Sequence, residues 1–157
     1  MNNCRCCKKN LKKQLFSAEI LKKEIAYFEC DNCGYVQTEE PFWLKDAYSS
    51  AINNSDTGIM TRNLYNVSLV MATLTLMRSR SSPVVDYAGG HGFLVRLLRD
   101  IGVDAFWSDP YCENLVARGF EFENKNKAEL VTAFESFEHF LDPFDEMTKL
   151  LDIAPNI

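Results

Sequence analysis

Two patterns of apolar residues divide the chain from residue 58 onward. Short apolar runs at 84–88, 103–107 and 130–134 contain β-branched residues and predict buried strands, with a weaker run at 120–122. Apolar residues that recur every three or four positions predict amphipathic helices from about Gly58 to Arg78 and from Phe144 to about Ile153. Strands that alternate with helices in this way indicate an α/β fold.

Polar residues mark the starts of both predicted helices. Asp56 or Thr57 can cap the first helix, because a short oxygen-bearing side chain accepts a hydrogen bond from a free N–H of the first turn. Asp142 is placed to cap the second helix. Pro143 then stands in its first turn, where a missing N–H costs nothing.

The first 37 residues carry a pattern of cysteines. Cys4 and Cys7 form one Cys-x-x-Cys pair, Cys30 and Cys33 form another, and 22 residues separate the pairs. Two such pairs predict a closed, tetrahedral and structural zinc site of four thiolates. Spacing leaves open whether Cys6 or Cys7 is the ligand, although Cys4 and Cys7 repeat the second pair better.

A metal would also explain how so small a unit folds. The segment has few large apolar residues, and units of this size seldom fold without a metal or disulfides. The segments 24–29 and 35–38 read as strands on either side of the second cysteine pair.

Composition restricts the expected partners. The formal net charge is −5, and the N-terminal lysines are not interleaved with aromatic residues, so nucleic acid is not an expected partner. No run approaches the ~18 apolar residues of a membrane span, and the N terminus has no signal-peptide core. Cysteines with zinc spacing and no export signal predict a reducing, cytoplasmic location.

The segment Asp86-Tyr87-Ala88-Gly89-Gly90-His91-Gly92 links the first buried strand to an amphipathic segment. A glycine turn between strand and helix lets a ligand approach bare backbone beside the N–H groups of the helix. Asp109 follows the second buried strand, where a ribose diol would be held. The combination indicates an adenosine-containing cofactor.

Two fingerprints compete for this turn. The dinucleotide pattern Gly-x-Gly-x-x-Gly, started at Gly90, meets Val95 where its third glycine should stand. The acid-x-Gly-x-Gly-x-Gly pattern of class I S-adenosylmethionine-dependent methyltransferases fits better, with only its first glycine replaced, by Ala88. Alanine does not tolerate positive φ, so right-handed helical or extended backbone is expected at that position.

The chain resembles zinc-ribbon methyltransferases related to the sugar C-methyltransferases. The matching residues are the segment 86–92, Asp109-Pro110, Ala133-Phe134-Glu135 and Phe137-Glu138-His139, together with the N-terminal cysteines. The resemblance implies an α/β, Rossmann-like class I core preceded by a small zinc ribbon and a helical linker.

The resemblance also implies a set of residues that bind S-adenosylmethionine. The turn would hold the methionine part, Asp109 would accept hydrogen bonds from the ribose, and the end of the third strand would contact the sulfonium. Arg62 either meets the cofactor carboxylate, which a guanidinium binds in a bidentate manner, or is a surface arginine. The full set is Arg62, Asp86, Ala88, Gly89, Gly90, Gly92, Asp109, Pro110, Ala133, Phe134 and Glu135, with Tyr48 and Ser49 where related proteins close the pocket.

Methyl transfer requires that the nucleophile, the methyl group and the leaving sulfur are aligned. It also requires a base where the nucleophile carries a proton. His139 is the candidate general base, because its ordinary pKa lies near neutrality, and Glu138 precedes it. The alternative is that Glu138 and His139 cap or brace the loop. His91, inside the glycine turn, is expected to fill the turn, and Cys112 to pack or face solvent.

These patterns and the resemblance together predict three segments: a zinc ribbon at 1–37, a helical linker or cap at 38–82, and a methyltransferase core at 83–157. A class I core has seven strands and the sequence predicts up to four, so the core is incomplete, with front strands only. The chain therefore looks like the front part of a longer protein or a shortened relative.

The expected function is methyl transfer from S-adenosylmethionine to a small molecule, with a nucleotide-linked sugar as candidate acceptor, structural Zn²⁺, and neither nucleic acid nor membrane as partner. The alternatives are a catalytically inactive module that binds cofactor or zinc, a nicotinamide oxidoreductase, and a zinc-ribbon nucleic-acid adaptor. The missing third glycine disfavours the oxidoreductase, and the net charge disfavours the adaptor.

Overall fold

The computed structural model describes residues 3–11, 13–43, 56–123 and 127–157. Tyr48 and Ser49, with the rest of 44–55 in the segment expected to form a linker or cap, lie outside these residues. The chain divides into two units, Met1–Ser50 with Phe140–Glu146 and Ala51–His139 with Met147–Ile157.

The first unit contains a three-stranded antiparallel sheet in the order β1-β2-β3. The strands are β1 (Lys13–Ile20), β2 (Lys23–Glu29) and β3 (Val36–Thr38). The predictions of strands at 24–29 and 35–38 are confirmed, and β1 is a strand that the pattern did not reveal. Its sequence lacks clean alternation, and the turn that follows uses Leu21 and Lys22 at φ 50° and 62° rather than glycine or asparagine.

The second unit contains a parallel sheet between helices. Its elements are α1 (Ile59–Leu76), β4 (Val84–Tyr87), α2 (Phe93–Asp100), β5 (Ala105–Ser108) and β6 (Leu130–Thr132), followed by a 3₁₀ turn (Phe137–His139) and α3 (Pro143–Ile153), which begins in the first unit. The three strands pair in the order β5-β4-β6. The predictions of three buried strands and of both long helices are confirmed.

Alternation along β4 and β6 divides the core of the second unit between the two faces of the sheet. Val84 and Leu130 pack with α1 and α2, whereas Val85 and Val131 pack with Leu150 of α3. Successive strand residues point to opposite faces, so every strand is covered on both sides.

Single bridges extend the sheet at both edges. Trp107 pairs with Glu121 and Leu130 pairs with Asn156, both in the parallel sense. The weak strand predicted at 120–122 is therefore one bridge, flanked by hydrogen bonds between the Trp107 backbone and Phe120 and Phe122.

The starts of the two long helices differ. The Asp142 carboxylate accepts a hydrogen bond from the Asp145 N–H at 3.1 Å, which confirms the predicted cap of α3. The predicted cap of α1 is wrong: Gly58 holds that position without a side-chain hydrogen bond. Asp56 instead accepts hydrogen bonds from the Arg62 guanidinium. Within the described residues, no helix is long and apolar enough to cross a bilayer.

Candidate functional site

The strand order places a topological switch point at the carboxyl end of β4. The chain leaves β4 toward β5 on one side, and β6 pairs on the other side, so β4 ends at a topological switch point. Ligands of open α/β sheets bind outside the carboxyl ends of the strands at such a point. Residues predicted to bind the cofactor lie in the glycine turn, at Asp109 and at 133–135. Each of these positions follows the end of one of the three strands.

The glycine turn adopts left-handed backbone where the sequence did not predict it. Ala88 has φ 57°, so the expectation of right-handed or extended backbone at this residue is wrong. The turn is held by hydrogen bonds from the Gly89 N–H to the Ser108 carbonyl and from Trp107 Nε1 to the Gly90 carbonyl. These contacts fix a conformation that alanine adopts only at a cost.

Replacing Ala88 with glycine should therefore stabilise the chain. Left-handed backbone costs an L-residue roughly 1–2 kcal/mol, and the greater entropy of glycine in the unfolded chain offsets about 0.5–1 kcal/mol of that gain. We expect Ala88→Gly to raise the free energy of unfolding by up to about 1 kcal/mol in urea denaturation. A lower stability would show that the alanine methyl makes contacts that outweigh the strain.

The three glycines of the turn have different surroundings. A Cβ on Gly89 would lie 2.8 Å from Asp86 Oδ2, and one on Gly92 would lie 2.9 Å from Ala117 Cβ and from Asn114 Oδ1. A Cβ on Gly90 would meet nothing within 4 Å. Gly89 and Gly92 are therefore needed for packing of the protein itself, and Gly90 leaves backbone open to a ligand.

Asp109 connects the turn to the loop after β5. Its Oδ2 accepts a hydrogen bond from the Gly90 N–H at 2.9 Å, and its Oδ1 accepts from the N–H groups of Tyr111 and Cys112 at 2.8 and 2.9 Å. A carboxylate oxygen has two lone pairs, so Oδ2 can still accept a hydrogen bond from a ligand hydroxyl. This latch places an acceptor beside the open backbone of Gly90.

Asp86 is a buried carboxyl beneath the turn. Thr132 donates a hydrogen bond from Oγ1 to Asp86 Oδ1 at 2.8 Å across the β4–β6 pair. Burial raises the pKa of Asp86 to about 7; the Thr132 hydrogen bond opposes this rise and the charge of Asp109 adds to it. A cationic ligand group beside this carboxyl would favour its ionised form.

The raised pKa of Asp86 should make stability depend on pH. Between about pH 4 and pH 7 the folded chain holds a proton that the unfolded chain has lost, so stability from this group falls as pH rises through that range. The loss is at most about 4 kcal/mol. Urea denaturation at several pH values should show this fall in the wild type and a flatter profile in Asp86→Asn. Asp152→Asn, at an exposed residue of α3, is the matched control, and an unchanged profile in Asp86→Asn would contradict the prediction.

Arg62 is held by two carboxylates of its own chain. Its Nη2 donates to Asp56 Oδ1 at 2.8 Å, and its Nε lies 3.1 Å from Glu135 Oε2. The hydrogen bond to Asp56 raises the pKa of Arg62. Glu135 itself has φ 50°, so the ion pair restrains a strained residue at the end of β6. The structure thus joins the start of α1 to the loop predicted to reach the sulfonium.

The remaining predicted residues line the same loop or the one after β5. Ala133 and Phe134 are half-buried and pack against opposite sides of the core, and Pro110 is exposed. Glu138 and His139 are exposed in the 3₁₀ turn, where the His139 N–H donates to the Ser136 carbonyl. Their roles stay predictions.

A contact between His91 and Cys112 was not predicted. His91 Nδ1 lies 3.0 Å from the Glu113 carbonyl oxygen and 3.1 Å from Cys112 Sγ. Burial raises the pKa of the Cys112 thiol, with the nearby charge of Asp109 adding to it. The histidine thus fastens the glycine turn to the loop after β5.

The four-cysteine cluster is the second candidate site, and it lies in the first unit. The Sγ atoms of Cys4, Cys7, Cys30 and Cys33 all lie within 4.8 Å of one another. Cys4 and Cys33 are 3.7 Å apart and Cys7 and Cys30 are 3.5 Å apart. A tetrahedral ion with sulfur at about 2.3 Å needs edges of about 3.8 Å, so four cysteines could hold a metal here.

The two cysteine pairs have the same backbone geometry. The Lys8 N–H donates to the Cys4 carbonyl and the Gly34 N–H to the Cys30 carbonyl, at 2.9 and 2.8 Å. Lys8 and Gly34 both have left-handed φ, 60° and 72°. Cys7 therefore occupies the position equivalent to Cys33, and Cys6 lies outside the four cysteines that could hold a metal.

Two contacts fasten the first cysteine pair to the rest of its unit. The buried Gln37 accepts a hydrogen bond from the Arg5 N–H at 2.7 Å, which ties the pair to β3. Lys8 forms an ion pair with Asp142. The Lys9 N–H donates to Cys7 and lowers the pKa of this thiol to about 6.

A parallel sheet with a glycine turn at its switch point defines a Rossmann-like α/β protein whose ligand lies beyond the strand ends. The chain belongs to a methyltransferase family: the family described as "Methyltransferase domain" matches residues 60–156. The matched range includes almost all of α1 and the whole parallel sheet. No curated protein matches the chain significantly.

Proposed function

We propose that the chain binds S-adenosylmethionine at the switch point and takes part in methyl transfer to a small molecule. The observation that carries the proposal is the open backbone at Gly90, with the Asp109 carboxylate 2.9 Å from its N–H. An adenosine ligand fits there, because a ribose hydroxyl can donate to Asp109 while the ligand lies against the exposed turn. When bound, the cofactor supplies a methyl group already activated on a sulfonium.

The charges of the site favour a cationic ligand over a dinucleotide. The Asp109 carboxylate lies at the switch point and would repel a pyrophosphate. Asp86, whose pKa burial raises to about 7, would ionise beside a cationic ligand group and not beside a pyrophosphate. S-adenosylmethionine instead carries a sulfonium and an ammonium group. Val95 is fully buried where a dinucleotide turn needs its third glycine for close helix packing, which also disfavours the oxidoreductase.

The loop after β6 supplies the groups proposed to act on the acceptor. His139 is proposed as general base and Glu138 as its partner, since both are exposed in the 3₁₀ turn that follows the strand. The ion pair between Arg62 and Glu135 orients the start of this loop. A nucleotide-linked sugar is the first acceptor to test, because the sequence resembles sugar C-methyltransferases.

The four-cysteine cluster is proposed to hold structural Zn²⁺ in a zinc ribbon. Four thiol ligands close the coordination sphere and leave no position for substrate, as in structural sites. The buried apolar residues in the described part of this unit are Cys4, Ile25, Cys30 and Trp43, a small core that a metal would complete.

Calorimetric titration with S-adenosylhomocysteine tests cofactor binding. We expect one-to-one binding that Gly90→Ala weakens at least about 30-fold, because the new methyl fills the open space where the ligand lies. Gly102→Ala is the matched control: this glycine also has positive φ and open surroundings, at 84°, but lies after α2. If both variants weaken ligand binding equally, backbone strain and not a filled ligand space would explain the loss of affinity.

Absence of binding by a folded, zinc-loaded chain would contradict the proposal. Binding without product from a panel of acceptors would favour the alternative of a catalytically inactive cofactor-binding module. Turnover of His139→Ala measured against pH then distinguishes the two roles proposed for this residue. Loss of a general base changes the pH profile of turnover, whereas loss of a bracing residue does not.

A further inference from the structure

Ser136 has a buried hydroxyl group that makes no hydrogen bond. The residue is 4% exposed. Among the residues that the structure describes, its Oγ is the one buried side-chain oxygen or nitrogen without a partner. Folding takes this hydroxyl out of water without replacing its hydrogen bonds, which is costly, so the position needs a physical reason. Its place in the chain suggests one, because Ser136 lies in the loop that follows β6 at the switch point.

The residue before Ser136 is strained. Glu135 has left-handed backbone at φ 50°, which a glutamate adopts only at a cost. Its carboxylate pairs with the Arg62 Nε at 3.1 Å, but the two side chains are 64% and 40% exposed, and exposed ion pairs contribute little. The free chain thus has two unfavourable features at consecutive residues, fastened by a weak ion pair. A ligand that gave Ser136 a partner and let Glu135 change conformation would remove both.

The loop after β6 lies across the switch point from Asp109. Strands β5 and β6 flank β4, so the residues that follow them are separated by two strand spacings, about 10 Å. A cofactor with its ribose at Asp109 would span this distance with its amino-acid arm toward the loop after β6. Arg62 already binds carboxylates there, those of Asp56 and Glu135, and a ligand carboxylate would compete for the same guanidinium.

We propose that Ser136 is a ligand-binding residue that the free chain keeps covered, and that the amino-acid end of the cofactor uncovers it. The carboxylate of that end takes Arg62 from Glu135. Glu135 then leaves the left-handed region, and this rotation of the backbone turns the Ser136 hydroxyl toward the ligand, to which it donates a hydrogen bond. The Ser136 carbonyl accepts from the His139 N–H, so the same rotation moves the candidate base. This inference rests on the proposed function, because it assigns a residue to one end of the same cofactor.

Replacing Ser136 with alanine should have opposite effects on stability and on binding. Ser136→Ala removes the unpartnered oxygen, so we expect a higher midpoint of urea unfolding without ligand. Calorimetry on the zinc-loaded chain should show an affinity for S-adenosylhomocysteine that is lower by about 10-fold, the loss of one hydrogen bond. Affinity for adenosine, which lacks the amino-acid arm, should stay within about twofold of the wild type.

Ser79→Ala is the matched control. Ser79 lies in the same unit, after α1, and its hydroxyl donates to the Met77 carbonyl at 3.3 Å. Loss of this partnered hydroxyl should lower the unfolding midpoint and leave the affinity for S-adenosylhomocysteine unchanged. A serine with a merely structural role behaves like this control and does not stabilise the free chain while weakening ligand binding when it is removed.

The outcomes distinguish this inference from the proposed function. If the wild type and Ser136→Ala bind S-adenosylhomocysteine equally, or if Ser136→Ala is less stable without ligand, the inference is overturned and the proposed function stands. If the variant loses affinity for adenosine to the same extent, the assignment to the amino-acid end is overturned. No binding of either ligand by the folded wild type would contradict the proposed function as well.

NMR spectroscopy tests the movement of the loop. The Cα and Cβ chemical shifts of Glu135 depend on its φ, so S-adenosylhomocysteine should move them away from left-handed values. Adenosine should leave them in place, because it brings no carboxylate to Arg62. Left-handed shifts that persist with S-adenosylhomocysteine bound, or that change with adenosine, overturn the exchange at Arg62.

Discussion

Removal of the proposed Zn²⁺ from the four-cysteine cluster should unfold the first unit while the second unit remains folded. In the described part of this unit, Ile25 and Trp43 are the buried apolar residues besides two of the cysteines, so a metal would supply much of what holds the sheet β1-β2-β3. Structural zinc contributes roughly 10 kcal/mol or more of binding free energy, far above what so small a core provides. Chelation should therefore abolish the strand signals of this unit in heteronuclear NMR spectra.

Serine variants locate the ligands. Cys30→Ser should lose tight zinc binding and show the same unfolded signals, measured as bound zinc per chain after gel filtration. Cys6→Ser is the matched control, because Cys6 lies next to Cys7 but outside the cluster. One zinc per chain in Cys6→Ser and none in Cys30→Ser is the expected result. A folded first unit after chelation would contradict a structural role of the metal.

Replacing Asp109 with alanine should weaken binding of S-adenosylhomocysteine by about 100-fold. Hydrogen bonds to a charged group contribute about 1.5–3 kcal/mol each, and the proposed contact to the ribose uses this carboxylate. The variant also loses the hydrogen bonds that the wild-type carboxylate accepts from the N–H groups of Gly90, Tyr111 and Cys112. Calorimetry on the folded, zinc-loaded variant measures the affinity.

A modified ligand separates direct contact from disruption of the latch. A 2′-deoxy analogue should bind the wild type more weakly than S-adenosylhomocysteine does, and the difference should vanish in Asp109→Ala. If the deoxy analogue loses the same affinity in both proteins, Asp109 acts only by shaping the turn. Thermal unfolding without ligand gives the stability cost of the released N–H groups.

The sequence identified the cysteines as a candidate metal set but not their arrangement. Spacing alone left Cys6 and Cys7 as rival ligands, because both lie near the other cysteines in the chain. The structure distinguishes them through the repeated hydrogen bonds of Lys8 and Gly34, which depend on backbone folding around each pair. Strand β1 was missed for a similar reason: pairing with β2, not its own apolar pattern, makes it a strand.

The sequence by itself determined the elements of the second unit and the chemistry at their ends. Runs such as Val84-Val85 and Leu130-Val131 are buried on both faces of a sheet, and that burial leaves a plain apolar signature. Glycines and acids placed directly after such runs are also visible in sequence, because a turn beside a ligand needs those residue types locally.

Only the tertiary structure decided how these parts meet. The order β5-β4-β6 sets the switch point, and strand order depends on contacts between residues far apart in the chain. Left-handed backbone at Ala88 opposes the preference of alanine and is imposed by bonds from the glycine turn to the end of β5. The Asp109 latch and the Arg62 ion pairs arise in the same way, since no local pattern specifies which distant groups these side chains meet.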